Sequence, residues 1–186
     1  MTRINDRKVA ILSTNGFEQS ELEHPLKALR DAGAEVHVIA PEGAEITGWK
    51  DGNWGDAVKV DHMLDAVKPA DYDALVLPGG QINPDILRTN KAAVDFVRSF
   101  WEAKKPIGAI CHAPWMLIEA DIIKGRNVTS YHSIRKDVEN AGGIWHDKDV
   151  VCDQALVTSR TPEDLEAFCA KMIEEINEGR HEKRAA

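Results

Sequence analysis

Short, wholly apolar runs alternate along the chain with longer stretches whose apolar residues recur at helical spacing. Lys8 to Ser13 (KVAILS) suits a buried strand, and Asn15-Gly16 marks the turn after it. From Glu18 to Ala32 the residues Leu22, Leu26 and Leu29 keep helical spacing, and Gly33 closes that helix as a C-terminal cap. Glu35 to Ala40 (EVHVIA) reads as a second strand. Strand, helix and strand within about thirty residues predict a parallel βαβ unit.

Residues 41–60 break this rhythm. They are glycine-rich, carry Trp49 and Trp54, and predict a hairpin or an excursion over the sheet edge. A third strand follows at Asp73 to Leu77 and ends at Pro78-Gly79-Gly80. A helix is predicted over Lys91 to Lys104, then a strand over Pro106 to Ile110 that runs straight into Cys111-His112 and a helix through Glu119. Beyond Gly125 the pattern predicts a helix from Ser133 to Ala141 and a turn at Gly142-Gly143. Short strands follow at Ile144 to Trp145, Val150 to Cys152 and Ala155 to Thr158. Thr161-Pro162-Glu163-Asp164 reads as a helix start with Thr161 as N-cap, the helix running to about Gly179 and a polar tail following. Neither a repeat nor a linker interrupts this order, so one domain over 1–186 is expected, with its core at about 8–178.

Alternating strands and helices imply an α/β fold, a mainly parallel sheet covered on both faces. Ligands in such sheets bind beyond the carboxyl ends of the strands. Three loops fall there: Asn15 to Gln19, Pro78 to Asn83, and Cys111 to Trp115.

Composition narrows the partners. Hydrophobic residues make up 43% and charged residues 29% of the 186, an ordinary globular balance. The formal net charge of −8 argues against nucleic acid or an anionic membrane as the main partner. The first residues are polar, without the apolar stretch of a secretory signal, and no run approaches the roughly 18 apolar residues of a membrane helix. A cytoplasmic protein without a membrane anchor is therefore expected. Three widely spaced cysteines, Cys111, Cys152 and Cys169, do not read as a disulfide framework, and no clustered Cys/His pattern suggests a metal. No cofactor is predicted.

Of the three cysteines, Cys111 stands out by position. Between a buried strand and a helix, the free N–H groups of the first helical turn point toward its sulfur, which predicts a lowered thiol pKa. His112 follows directly and is a candidate proton acceptor. Backbone N–H groups after the nucleophile and near Gly79-Gly80 are candidates for stabilising an oxyanion. Cys152 and Cys169 lack such a setting and read as core. Trp49 and Trp54 read as packing residues, with a pocket lid as the alternative.

Ala109-Ile110-Cys111-His112-Ala113-Pro114 resembles the elbow motif of the PfpI family, in the class I glutamine amidotransferase-like superfamily with the ThiJ-type proteins. Gly16-Phe17-Glu18, Ala74 to Gly80, Gly125 to Tyr131 and Thr158 to Pro162 extend the resemblance over roughly residues 8–178. The resemblance implies a flavodoxin-like sandwich with Cys111 on a strained nucleophile elbow. It also implies that Glu18 hydrogen-bonds Cys111 and that the backbones of Gly80 and His112 form the oxyanion site. It further implies that an acid from a neighbouring subunit orients His112; Asp85 holds that place, one methylene shorter than the family's usual Glu. Ala113 stands where glycine is often found and narrows the pocket beside Gly79, Gly80 and Trp115.

Three functions follow as expectations. The first is an enzyme acting on small reactive carbonyls, a glyoxalase or deglycase, with Cys111 as nucleophile and Glu18 and His112 moving protons. The second is a cysteine peptidase or amidase with a Cys111, His112, Asp85 relay. The third is a non-enzymatic redox sensor or chaperone using oxidation of Cys111. His181-Glu182 has the local look of an amidotransferase His-acid pair but lies in the polar tail. The resemblance also implies a homodimer or a larger oligomer such as a hexamer.

Overall fold

In the computed structural model, which describes residues 2–180, the apolar runs become strands and the amphipathic stretches wrap them. The first half contains β1 (Lys8–Leu12), β2 (Phe17–Glu18), α1 (Gln19–Asp31), β3 (Glu35–Ala40), β4 (Glu45–Lys50), β5 (Asn53–Lys59), β6 (His62–Met63), β7 (Ala74–Leu77), α2 (Ile82–Leu87) and α3 (Lys91–Glu102). The second half contains β8 (Ile107–Ile110), α4 (Pro114–Glu119), β9 (Asn127–Val128), α5 (Arg135–Asn140), β10 (Ile144–Trp145), β11 (Val150–Asp153), β12 (Leu156–Ser159) and α6 (Leu165–Glu178).

Seven strands form the central sheet in the order β11-β12-β8-β7-β1-β3-β6. Every neighbouring pair is parallel except β11 with β12. Side chains alternate across β1 as the pleat requires. Ala10 and Leu12 join a core with Leu75, Phe96, Phe100 and Met116, under α3 and α4. Val9 and Ile11 join a second core with Leu22, Val76, Phe168 and Met172, under α1 and α6. Helices thus cover both faces, and the carboxyl ends of β1, β7 and β8 open onto one edge, as a doubly wound α/β sandwich requires.

The excursion at 41–60 is the expected hairpin. β4 and β5 pair antiparallel, and β4 also pairs parallel with β2, so the hairpin leans on Phe17 and Glu18 rather than on the central sheet. Trp49 and Trp54 pack edge to face with each other, ring centroids 5.4 Å apart. One helix start differs from expectation. Thr161 makes no side-chain cap and precedes a 3-10 turn, Pro162–Asp164, so α6 begins only at Leu165. Asp164 instead takes the backbone N–H of Arg160 at 3.2 Å, and its carboxylate also accepts from the Arg160 guanidinium. His181-Glu182 lies outside the described residues. Among the described residues no helix is long and apolar enough to cross a membrane.

Candidate active site

β8 ends at Ile110, and the next residue turns sharply. Cys111 has φ +64°, a left-handed conformation that costs a non-glycine residue about 1–2 kcal/mol. Both ends of the residue are held there. Its N–H donates to the Ser159 carbonyl at 3.0 Å, and its own carbonyl accepts from the Tyr131 N–H at 2.8 Å. Pro114, with its fixed φ and missing N–H, then starts α4. The sulfur is nearly enclosed; Cys111 is 7% exposed.

The carboxyl beside this sulfur is that of Glu21, not Glu18. Glu21 is fully buried in the first turn of α1, and its side chain hydrogen-bonds Cys111. Its Oε2 accepts from the N–H groups of Gly79 at 2.9 Å and Gly80 at 3.2 Å. Oε1 is buried and finds no hydrogen-bond partner. Burial first, with the charge of Glu18 adding to it, pushes Glu21 up to about 8 against a pull from its hydrogen bonds to Cys111 and the two glycines. The group is therefore a neutral acid, and a hydrogen-bond donor, through neutral pH. Glu18 is the N-terminal boundary residue of α1, half-exposed, with Ser20 Oγ donating to its Oε1 at 3.2 Å. It acts on the site through its charge on Glu21. The helical stripe explains the exchange: Glu21, Pro25 and Leu29 fall at every fourth position and all three are buried, whereas residue 18 precedes the first turn.

The thiol also differs from expectation. Burial first, and the charge of Glu21 second, push Cys111 above the ordinary cysteine value, while the N–H groups of Gly80 and His112, both hydrogen-bonded to it, pull it back. α4 has only six residues, so its dipole is too small to overcome desolvation of the sulfur. The hydrogen bond with the Glu21 side chain is a third upward cause, so the carboxyl holds Cys111 in its thiol form.

His112 is placed to take the thiol proton. Its Nδ1 lies 3.2 Å from Cys111 Sγ and its Nε2 lies 3.2 Å from Ser133 Oγ. Burial, then the charge of His132, lowers its pKa, so the ring is neutral at pH 7. In a neutral ring whose Nδ1 accepts from sulfur, Nε2 carries the proton and donates to Ser133. The ring is clamped by Tyr131, stacked at 4.8 Å, and by Trp115, edge-on at 5.2 Å. Trp115 is anchored in turn, with Nε1 donating to Asp137 at 2.9 Å and Arg88 over its ring at 5.3 Å. Ser133 and Tyr131 carry no role in the sequence pattern; their segment is held at the site by the Tyr131 N–H on the Cys111 carbonyl, the Thr129 N–H on Thr158 Oγ1 and the Ser133 contact with His112.

Gly79 and Gly80 sit where side chains cannot. A Cβ on Gly79 would lie 2.5 Å from Glu21 Oε2, and one on Gly80, at φ +73°, would lie 2.5 Å from both the Glu18 nitrogen and the Gly16 oxygen. Ala113 is fully buried at the start of α4. Asp85 is exposed in the first turn of α2, and the hydrogen bonds of His112 go to Cys111 and Ser133. Cys169 is buried in the core as expected, whereas Cys152 is half-buried on the edge strand β11 and hydrogen-bonded to Glu175.

The family model described as DJ-1/PfpI family matches residues 7–175. A Bacillus subtilis (strain 168) protein provisionally named a cysteine protease, YraA, is 46% identical over 87% of this chain and 94% of its own. "Protein/nucleic acid deglycase 2" of Escherichia coli (strain K12) is 45% identical over 87% of this chain and 93% of its own. Among solved structures, a two-domain protein from Anabaena variabilis containing DJ-1/ThiJ/PfpI-like and ferritin-like domains superposes with a TM-score of 0.87 at 33% identity. That match covers 97% of this chain and 52% of that longer chain.

Proposed function

The chain belongs to the DJ-1/PfpI family, and on that premise we propose that it is a cysteine-dependent enzyme that removes small reactive carbonyls, as a glyoxalase or a deglycase. The observation that carries the reading is the convergence on one sulfur of the His112 imidazole at 3.2 Å, two backbone N–H groups and the buried Glu21 carboxyl, whose pKa burial raises. The name of the Escherichia coli relative points to the same chemistry.

On an α-oxoaldehyde such as methylglyoxal the steps balance without an added thiol. Cys111 Sγ bonds to the aldehyde carbon while His112 Nδ1 takes the thiol proton, and the oxygen that gains charge is met by the N–H groups of Gly80 and His112. Protonation of that oxygen gives a hemithioacetal. His112 Nδ1, neutral again once it has protonated that oxygen, takes the carbon-bound hydrogen as a proton and returns it to the neighbouring carbon, while the hydroxyl proton passes to the former ketone oxygen, which gives the thioester of a 2-hydroxy acid. Water then releases lactate and the free thiol. Glu21 is assigned as hydrogen-bond donor to the sulfur, and Ala113 and Trp115 as pocket wall. An acidic contact of Asp85 with His112 across a subunit boundary belongs to the proposal as an addition in an oligomer, since Ser133 already holds Nε2 within the chain.

The test is turnover of methylglyoxal with the product identified. Wild-type protein is expected to give lactate catalytically, Cys111→Ser none, and Glu21→Gln a reduced rate. Peptide cleavage without carbonyl turnover would favour instead the peptidase reading, which the name of the Bacillus relative supports.

A further inference from the structure

Asn83 is a fully buried polar side chain in α2 that the catalytic scheme does not use. Its Nδ2 donates to the carbonyl oxygens of Pro78 at 2.9 Å and Gly79 at 3.2 Å. Its Oδ1 accepts from the Thr14 N–H at 2.8 Å and the Ser13 hydroxyl at 3.3 Å. The partners fix which end of the amide is which, because Thr14 N–H can only donate and the two carbonyls can only accept. One side chain thus ties the loop after β7 to the loop after β1.

In a planar trans peptide the C=O and the N–H point in opposite directions. The Pro78 carbonyl and the Gly79 N–H belong to one such plane, and the Gly79 carbonyl and the Gly80 N–H to the next. Each plane is held at its oxygen by Asn83 and at its nitrogen by Glu21, with the Gly80 N–H also reaching Cys111. Gly79 and Gly80 have no side chains to hinder rotation, and Gly80 sits at φ +73°, so these planes would swing easily without an anchor. We propose that Asn83 is a positioning residue that locks the two peptide planes of the Pro78-Gly79-Gly80 loop, so that their N–H groups face the Glu21 carboxyl and the Cys111 sulfur. Donation to the two carbonyls also polarises the peptides and strengthens the N–H groups as donors. The proposal deepens the catalytic reading, and rests on it only for its effect on turnover.

The test reads the thiol directly. Alkylation of Cys111 by iodoacetamide is followed by peptide mass spectrometry across pH in wild type, Asn83→Leu and Asn83→Asp, with Cys152 as internal reference and melting temperature recorded alongside. Asn83→Leu removes the donor and the acceptor; Asn83→Asp keeps an acceptor for Thr14 but turns an oxygen toward the two carbonyls. Both are expected to slow Cys111 alkylation at pH 7 about tenfold and to move the rate–pH midpoint upward, leaving Cys152 unchanged. A lower melting temperature with an unmoved Cys111 profile in the folded variants would overturn the proposal and leave Asn83 a purely structural tie. Should Asn83→Leu not fold, Asn83→Asp decides alone, and Asn83→Ser replaces it if that variant also fails. The readout needs no substrate. Absence of methylglyoxal turnover in wild type would therefore sink the carbonyl chemistry while the alkylation profile still judged Asn83.

Discussion

Replacing Glu21 by glutamine should remove the loss of stability with rising pH that this buried carboxyl imposes. The carboxyl is fully buried, receives two backbone N–H groups on one oxygen and has its pKa raised to about 8 by burial. In the unfolded chain it titrates near the ordinary glutamate value of 4.5. Between these values the native state holds a proton that the unfolded state has released. Stability is therefore lost as pH rises from 4.5 toward 8, at up to about 1.4 kcal/mol per pH unit, and the loss levels off above 8. Over the whole window the sum is on the order of 5 kcal/mol, a large share of a domain's stability. Glutamine is nearly isosteric, keeps an oxygen for Gly79 and Gly80, and cannot ionise. The difference between variant and wild type therefore reports the ionisation of Glu21 together with its coupling to Cys111. Urea denaturation at half-unit steps from pH 5 to pH 8.5 measures it. The variant should gain on wild type steadily with pH up to about 8 and then run parallel. Parallel curves throughout would show that Glu21 is ionised in the folded protein, and the assignment of a neutral hydrogen-bond donor to Cys111 would fail.

Other outcomes follow from the same geometry. Ser133→Ala removes the partner of His112 Nε2 at 3.2 Å and should lower kcat about five- to tenfold with little change in KM, read from steady-state methylglyoxal kinetics; an unchanged kcat would mean that Tyr131 and Trp115 hold the ring unaided. Gly80→Ala places a Cβ 2.5 Å from two backbone atoms at a positive φ, and should cost about 2–4 kcal/mol in urea denaturation while abolishing turnover. Phe168→Ala, in the core under the sheet against Gly108, should cost about 3–5 kcal/mol yet leave turnover intact in the folded fraction.

The sheet was legible because its strands are buried on both faces. Apolar runs such as EVHVIA and ALVL, ended by Pro or Gly, leave little choice of conformation or position. The convergence of three loops followed from the topology alone. What pattern reading missed depends on contacts distant in sequence. β2, β6 and β9 are two residues each and exist only through their partners. α2, with Asn83 and Asp85, is too short to show a period. Glu21 was hidden by the general rule that an acid in a first helical turn faces solvent; its place on the stripe with Pro25 and Leu29 was the signal available. The resemblance supplied a carboxyl but attached it to Glu18, one turn too early. The thiol went the other way from expectation because burial depends on everything packed around Cys111, whereas the sequence shows only the adjacent helix start.

The most direct test of the account follows isotopically labelled methylglyoxal by carbon NMR with wild type and Cys111→Ser, the folded state of each verified by circular dichroism. The account predicts many equivalents of lactate per wild-type chain and none above the spontaneous rate from the variant. Loss of methylglyoxal limited to about one equivalent per chain, or lactate formed equally by Cys111→Ser, would contradict it: the first would make Cys111 a trap, and the second would place the chemistry elsewhere.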